Sequence, residues 1–366
     1  MSDVQQELVF FGDRHSSGND APTDEWKMSK LNRENPESPF HKFIGNEPAV
    51  RKMTAAAFTA LGRENHLMRE LAFSIFGPSS AGKTTLARLY AETVELPFME
   101  ISPKSLRTVD DLFRIISNTL QDEGLPLVEQ DRKKFFLLPP CVIFIDEVHA
   151  LTPGVVDGLL KATEFTDSRM VTESGITVNT ENATWMIATT DEGKLFEAFR
   201  TRFSPIVLKY LSKSDIAKIV KLANPDLSDE VCGLVAHYNS RIPRKALEFA
   251  RYMRMVSAMN PSLSWVDVTS LVAADEGIDE FGMNEVHLKI LRALGLGPVA
   301  KNRVALIAGR KEEEVERNIL PWLLTETEDQ KSLIGVSSKG YVITEFGLKE
   351  LERRGIHHVG EKAIAV

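Results

Sequence analysis

The chain has 366 residues, 43% of them hydrophobic and 26% charged, and a formal net charge of −8. That composition belongs to a soluble globular protein of two or three domains. It excludes a helical membrane protein, since no run of about 18 apolar residues occurs, and a protein that binds nucleic acid over its whole surface, which would be basic.

Residues 1–39 are polar and rich in Asp, Glu, Asn, Ser and Pro, and are expected to form a disordered tail in which Leu8–Phe11 is a possible docking peptide. The first residues lack a basic stretch followed by an apolar core, so no secretory signal is expected. Cys141 and Cys232 give no disulfide framework and fit reduced thiols, so a cytoplasmic location is expected.

From residue 40 the pattern alternates. Helices are expected over Ala49–Arg63, Thr84–Thr93, Val109–Gln121 and Gly154–Thr163, and strands over Leu71–Phe76, Pro97–Ile101, Val142–Ile145 and Thr184–Thr189. Such alternation predicts an α/β domain at 40–208, with a parallel sheet and helices on both faces. Lys213–Leu222, Ser228–Tyr238, Pro243–Met255 and Trp265–Ala273 read as helices without strands, an all-helical domain at 209–275. In 276–366, helices over Asn284–Leu294, Val299–Ala308 and Glu312–Leu324 precede an alternating segment around Ser337-Ser338-Lys339-Gly340 and a last helix, Glu345–Arg354. Three helices and a hairpin predict a winged helix.

The strand at Leu71–Phe76 runs into GPSSAGKT, Gly77 to Thr84, which is the P-loop pattern. Its glycines let backbone N–H groups close on phosphate oxygens, and the helix that follows adds positive potential. The nucleotide contacts are expected from Gly77, Ser80, Ala81, Gly82, Lys83, Thr84 and Thr85, with Lys83 on the β- and γ-phosphates and Thr84 on Mg²⁺.

The apolar strand at 142–145 delivers Asp146 and Glu147 to the crevice at the sheet's carboxyl edge. Asp146 is the candidate metal carboxylate and Glu147 the candidate general base. Thr189 and Thr190 end the next strand and offer a hydroxyl beside a γ-phosphate. Arg200 and Arg202 lie just beyond it, and Arg244 follows Pro243 at a helix start.

In this order, the P-loop, Asp-Glu strand, Thr strand, arginine pair, helical lid and winged helix resemble the AAA+ ATPases. The closest resemblance is to the RuvB family, the motor of Holliday-junction branch migration. The segments FIDEVHALTPGVVDGLL and GPVAKNRVALIAGRKEEEVERNILPWLL carry the distinction, and the resemblance runs from about Phe40 to Leu351. It implies ATP and Mg²⁺ as ligands and Thr190 as the sensor threonine. Arg202, or else Arg200, would be the arginine finger acting on a neighbour's site. Arg244 would be the lid sensor, and Ile44 and Tyr210 would flank the adenine. It also implies a homo-oligomeric ring, expected to be hexameric, acting on double-stranded or junction DNA.

Departures from the family accompany this likeness. Residues 103–140 are longer than the family's corresponding segment, and Asp191-Glu192 replaces Arg-Ala. The hairpin RMVTESGITVNT is short and polar at its tip, which weighs against a RuvA-like partner. Aligning the wing on Gly340 puts Val336 and Tyr341 where the family has two DNA-contacting arginines, which leaves Lys339 and Tyr341 as the candidate DNA contacts. Residues 277–366 hold 13 Lys/Arg against 14 Asp/Glu, so a winged helix that grips protein stays open beside one that grips DNA.

Overall fold

A computed structural model describes residues 29–61, 72–125, 127–129, 134–164, 166–239, 242–324, 326 and 331–356. The Leu8–Phe11 segment lies outside them. Five parallel strands form the central sheet: β1 (Ala72–Phe76), β2 (Phe98–Ile101), β5 (Cys141–Ile145), β8 (Ala183–Thr189) and β9 (Ser204–Val207), in the order β2-β5-β8-β1-β9. All five residues of β5 are buried, which is the signature of a strand covered on both faces. Its alternate residues go to different cores. Cys141, Ile143 and Ile145 face one cluster, built with the helices α3 (Val109–Asp122) and α4 (Pro153–Ala162). Val142 and Phe144 face the other, built with α1 (Glu47–Leu61) and α2 (Lys83–Val94). Each fully buried Ile, Val or Phe contributes about 1.5–3 kcal/mol relative to exposure, so this alternation fixes strand register firmly.

Strand β9 was not expected. Its four residues include Pro205, and proline signals against a strand except at an edge. The edge is where β9 lies, paired to β1 alone, and the Pro205 carbonyl accepts from Lys52 Nζ at 2.9 Å.

A second, four-stranded sheet in the order β3-β4-β7-β6 was only half expected. Strands β6 (Arg169–Val171) and β7 (Thr177–Asn179) are the polar-tipped hairpin. The inserted segment adds β3 (Val128–Glu129) and β4 (Phe135–Leu137), with β4 parallel to β7. Strands of two or three residues are too short to show periodicity in a sequence. The hairpin tip is tied to α3: Asp110 accepts from the amides of Glu173 (2.6 Å) and Ser174 (3.4 Å) and from the Ser174 hydroxyl. The Ser174 bond is the main cause that holds the Asp110 carboxyl below its ordinary pKa.

The last residues of the expected tail are ordered differently from that reading. Leu31 is buried against the second core cluster. The Ser38 hydroxyl donates to the Lys30 carbonyl at 2.5 Å, and Arg33 donates to Glu47 and to the Phe43 carbonyl. A mixed polar sequence hides this, because the ties are side chain to backbone rather than periodic burial.

After β9 come α5 (Lys213–Ala223), α6 (Asp229–Tyr238), α7 (Pro243–Met259) and α8 (Trp265–Asp275), which share one core. The C-terminal domain has α9 (Glu285–Gly295), α10 (Lys301–Ala308) and a third helix in three parts, Glu312–Glu314, a π turn over Val315–Ile319, and Leu320–Leu324. Strands β10 (Ile334–Ser337) and β11 (Gly340–Ile343) pair antiparallel, and α11 (Glu345–Glu352) follows. Val299 and Tyr341 exchange backbone hydrogen bonds at 3.0 and 2.9 Å, which docks the wing onto the start of α10. No helix among the described residues is long and apolar enough to cross a membrane.

Candidate functional site

The P-loop connects β1 to α2. Gly77 passes so close to β9 that a Cβ there would come within 2.8 Å of Leu208 Cβ and 2.9 Å of its carbonyl oxygen. Gly82 is the N-cap of α2, at φ 96° and ψ 21°, a left-handed conformation that glycine adopts without steric cost. A glycine N-cap carries no side chain to satisfy the helix's first amides, so those of Lys83, Thr84 and Thr85 stay on offer to an anion. Ser80 also has a positive φ, 63°, which helps turn the loop's amides inward.

Lys83 is buried, and its Nζ donates to the carbonyls of Gly77 at 3.0 Å and Pro78 at 3.1 Å. The side chain is thus folded over its own loop. Burial pushes its pKa down, and the charges of Asp146 and Glu147 pull it back up.

Strands β1, β5 and β8 are adjacent, with Phe76 in register with Thr189 and Ile145 with Ile187. The residues that follow each strand therefore meet at one edge. Burial raises the Asp146 carboxyl pKa, Lys83 opposes that, and Glu147 adds to it. One Asp146 oxygen accepts from the Glu147 amide at 2.9 Å. Glu147 sits at φ 51°, a conformation that costs a non-glycine residue about 1–3 kcal/mol and clusters at functional sites. Its carboxylate accepts from the Thr190 hydroxyl at 3.2 Å to each oxygen and from the Thr190 amide at 3.3 Å.

The donor set fits ATP with Mg²⁺. A glycine-turned loop and helix start offer amides, a buried lysine offers charge, and Thr84 and Asp146 offer only hard oxygens. Mg²⁺ prefers such donors and keeps several of its waters. No cluster of three or more His, Cys, Asp or Glu able to hold a metal occurs among the described residues, so a tighter all-protein cage is not offered there.

The segments carrying the two adenine candidates are tied together by Asn46. Asn46 clasps the backbone of Lys209: its Oδ1 accepts from the amide at 2.7 Å and its Nδ2 donates to the carbonyl at 3.2 Å. Ile44 and Tyr210 flank that clasp and are both half-buried. The backbone at Gly45 runs against Leu211, where a Cβ would come within 2.6 Å. Sequence reasoning missed Asn46, since a lone Asn gives no signal.

The Arg200 guanidinium donates to the Glu192 carbonyl at 2.6 Å. Arg202 donates to the Ala198 carbonyl at 3.4 Å and lies 3.8 Å from Glu164. Arg244 is exposed in the first turn of α7. On the wing, Lys339 is exposed at the turn. Tyr341 differs from expectation. It is 9% exposed and packed in the domain core, whereas its cross-strand partner Val336 is 73% exposed. Docking of β11 against Val299 covers the tyrosine, a tertiary contact that the hairpin pattern alone does not reveal.

Comparison with known proteins agrees with this geometry. The family model described as "ATPase family associated with various cellular activities (AAA)" matches residues 73–211. The Holliday junction branch migration complex subunit RuvB of Helicobacter pylori is 27% identical over 296 residues, 77% of this chain and 82% of that protein. The same subunit from Rhodospirillum centenum is 24% identical over 326 residues, 85% of this chain and 83% of that one. In fold, the RuvB Holliday junction branch migration motor of Thermotoga maritima superposes with a TM-score of 0.65 at 24% identity, over 85% of this chain and 95% of that one. Residues 73–211 thus match the AAA ATPase family, the chain is an enzyme that hydrolyses ATP, and over most of its length it is similar to RuvB subunits at 24–27% identity.

Proposed function

We propose that the ATPase is a ring motor that translocates double-stranded or junction DNA, as the names of its relatives suggest for them. In this reading the P-loop amides and Lys83 hold the nucleotide, and Thr84 and Asp146 hold Mg²⁺, which screens phosphate charge when bound. Glu147 takes the proton of the attacking water, and Thr190 holds both in line. Arg202 of one subunit completes the site of the next, which makes hydrolysis depend on the ring.

The observation that carries the motor reading is the joint between lid and winged helix. Asp279 accepts from the amides of Phe281 (3.0 Å) and Met283 (2.8 Å) and from Arg354 Nε (2.8 Å). The guanidinium groups of Arg353 and Arg354 lie 4.3 and 4.4 Å from the centre of the Phe281 ring. On the lid side, His237 Nε2 bonds the Glu280 carbonyl at 2.8 Å, and Gly282 is pressed against the His237 carbonyl. A linker clamped on both sides supports transmission of lid movement to the winged helix, because a packed joint moves as a unit.

A second reading, a remodeller whose winged helix grips protein, is favoured by two features of the C-terminal domain. The wing exposes Val336 rather than an arginine, and this domain's charges nearly cancel. The hairpin tip, bound to Asp110 of its own chain, weighs against a RuvA-like partner docking there. ATPase and DNA-binding measurements over a salt series, with duplex and four-way-junction DNA, decide between the readings. The motor reading expects stimulation by DNA and binding that weakens as salt rises. Absence of binding at about 50 mM salt, where phosphate contacts are strongest, overturns it.

A further inference from the structure

His149 lies just beyond the acidic pair, within a short 3₁₀ segment, Val148–Ala150. Its Nδ1 is 3.0 Å from Thr189 Oγ1 and 3.3 Å from Glu147 Oε2. An ionised carboxylate oxygen only accepts, so Nδ1 must carry the hydrogen. The surrounding bonds agree with that assignment. The Thr189 hydroxyl donates to the Asp191 carbonyl at 3.3 Å, and its oxygen accepts from the Asp191 amide at 3.1 Å. That oxygen is left to accept from His149. Thr189 is fully buried as the last residue of β8, so His149 is anchored to a rigid strand end.

Glu147 is therefore gripped twice by consecutive residues. Thr190 reaches it directly, and Thr189 reaches it through the imidazole. The carboxylate needs both anchors, because its side chain is 37% exposed and a free glutamate has on the order of 1.5 kcal/mol of rotamer entropy to lose. A shift of about 1 Å in a reacting group can slow a reaction by about a hundredfold.

We propose that His149 is a positioning residue for the Glu147 carboxylate, tying the aim of that base to the end of β8. The inference rests on Glu147 being the general base. It adds a residue that sequence motifs leave unassigned, and it gives the two threonines separate tasks.

The test is steady-state ATP hydrolysis and equilibrium ATP binding by the full chain carrying His149→Ala, His149→Phe or His149→Asn, alone and combined with Glu147→Gln. Phe keeps the ring volume but has no N–H; Asn can place an N–H near the Nδ1 position. His149→Ala and His149→Phe should lower kcat by about tenfold, with ATP affinity within about twofold, and His149→Asn should recover most of the loss. Combined with Glu147→Gln, loss of His149 should cost nothing further, since residues acting as a unit are non-additive. A His149→Phe enzyme with unchanged kcat, an Asn variant as slow as Phe, or losses that add to those of Glu147→Gln would each overturn the proposal. Full turnover by Glu147→Gln would overturn the base reading and the inference together. An inactive Glu147→Gln beside an unimpaired His149→Phe would overturn the inference alone.

Discussion

The sheet's carboxyl edge and the wing of the C-terminal domain are built on opposite terms. At the sheet edge, backbone register decides where functional groups go. Three adjacent parallel strands end within a few residue pairings of each other, so whatever follows them shares a crevice. On the wing, backbone register places only the two-stranded ladder. Which side chains face outward depends on how that ladder docks, and Tyr341 is covered because β11 pairs with Val299. The lesson is that a site formed by strand ends tolerates divergence of the surrounding sequence, whereas a contact surface on a hairpin can be lost or changed by single substitutions without harm to the fold.

That contrast is most open to breakage at the half of the nucleotide site that the proposed ring assigns to a neighbouring subunit. Arg202→Ala should reduce ATP hydrolysis by roughly a thousandfold or more. Glu147→Gln should lower it by about a hundredfold to ten-thousandfold while ATP stays bound. If the nucleotide site is shared between subunits as proposed, the two variants mixed should regain activity, because each would lack a different half of it. If no mixing ratio restores turnover, then the finger is not Arg202, or a ring with inactive sites cannot work. In this chain Arg202 lies 3.8 Å from Glu164 and donates to the Ala198 carbonyl at 3.4 Å, contacts it would have to exchange to act on a neighbouring site.

Legibility of the sequence follows the same division. The P-loop could be read because a cradle for phosphate constrains glycine, lysine and hydroxyl at fixed spacing. Asp146 and Glu147 could be read because five buried residues lead to them. The four lid helices could be read from period 3.6 alone. What escaped has no period or spacing. Strand β9 carries Pro205 on an edge, β3 and β4 are two and three residues long, Asn46 acts through two backbone bonds, and His149 acts through a threonine that is distant in the chain. The tail boundary escaped for the same reason, since Lys30, Arg33 and Ser38 are held by scattered polar ties rather than by periodic burial.

The wing yields a smaller expected effect that sharpens the comparison. If DNA is the ligand, Lys339→Ala should reduce the slope of log affinity against log salt by about 1 and weaken binding uniformly across sequences. Val336→Arg, which adds a cation on the exposed position across from Tyr341, should steepen the slope by about the same amount. Unchanged slopes in both variants, with ATPase intact, would assign the wing to protein contact and overturn the DNA-translocation reading while leaving the nucleotide site in place.

The smallest effect concerns the stability of the sheet edge itself. The Asp146 carboxyl has its pKa raised above the ordinary 3.8, first by burial and then by Glu147, with Lys83 opposing. A raised carboxyl pKa means that the folded state takes up the proton more readily than the unfolded chain, so ionised Asp146 costs stability at neutral pH. That cost is fully present above the folded pKa and is relieved as pH falls through it. Asp146→Asn removes the charge and should raise the melting temperature of the nucleotide-free protein by on the order of 1–2 °C at pH 7. The gain should shrink toward acid pH, where the wild-type carboxyl is already neutral. Excess Mg²⁺ with a non-hydrolysable ATP analogue should reverse the order, stabilising the wild type more than Asp146→Asn, since only the wild type offers the bound cation a carboxylate. If Asp146→Asn is less stable in both conditions, the acid is held by contacts that outweigh its burial, and the sheet edge is not the strained, ligand-awaiting site that its electrostatics describe.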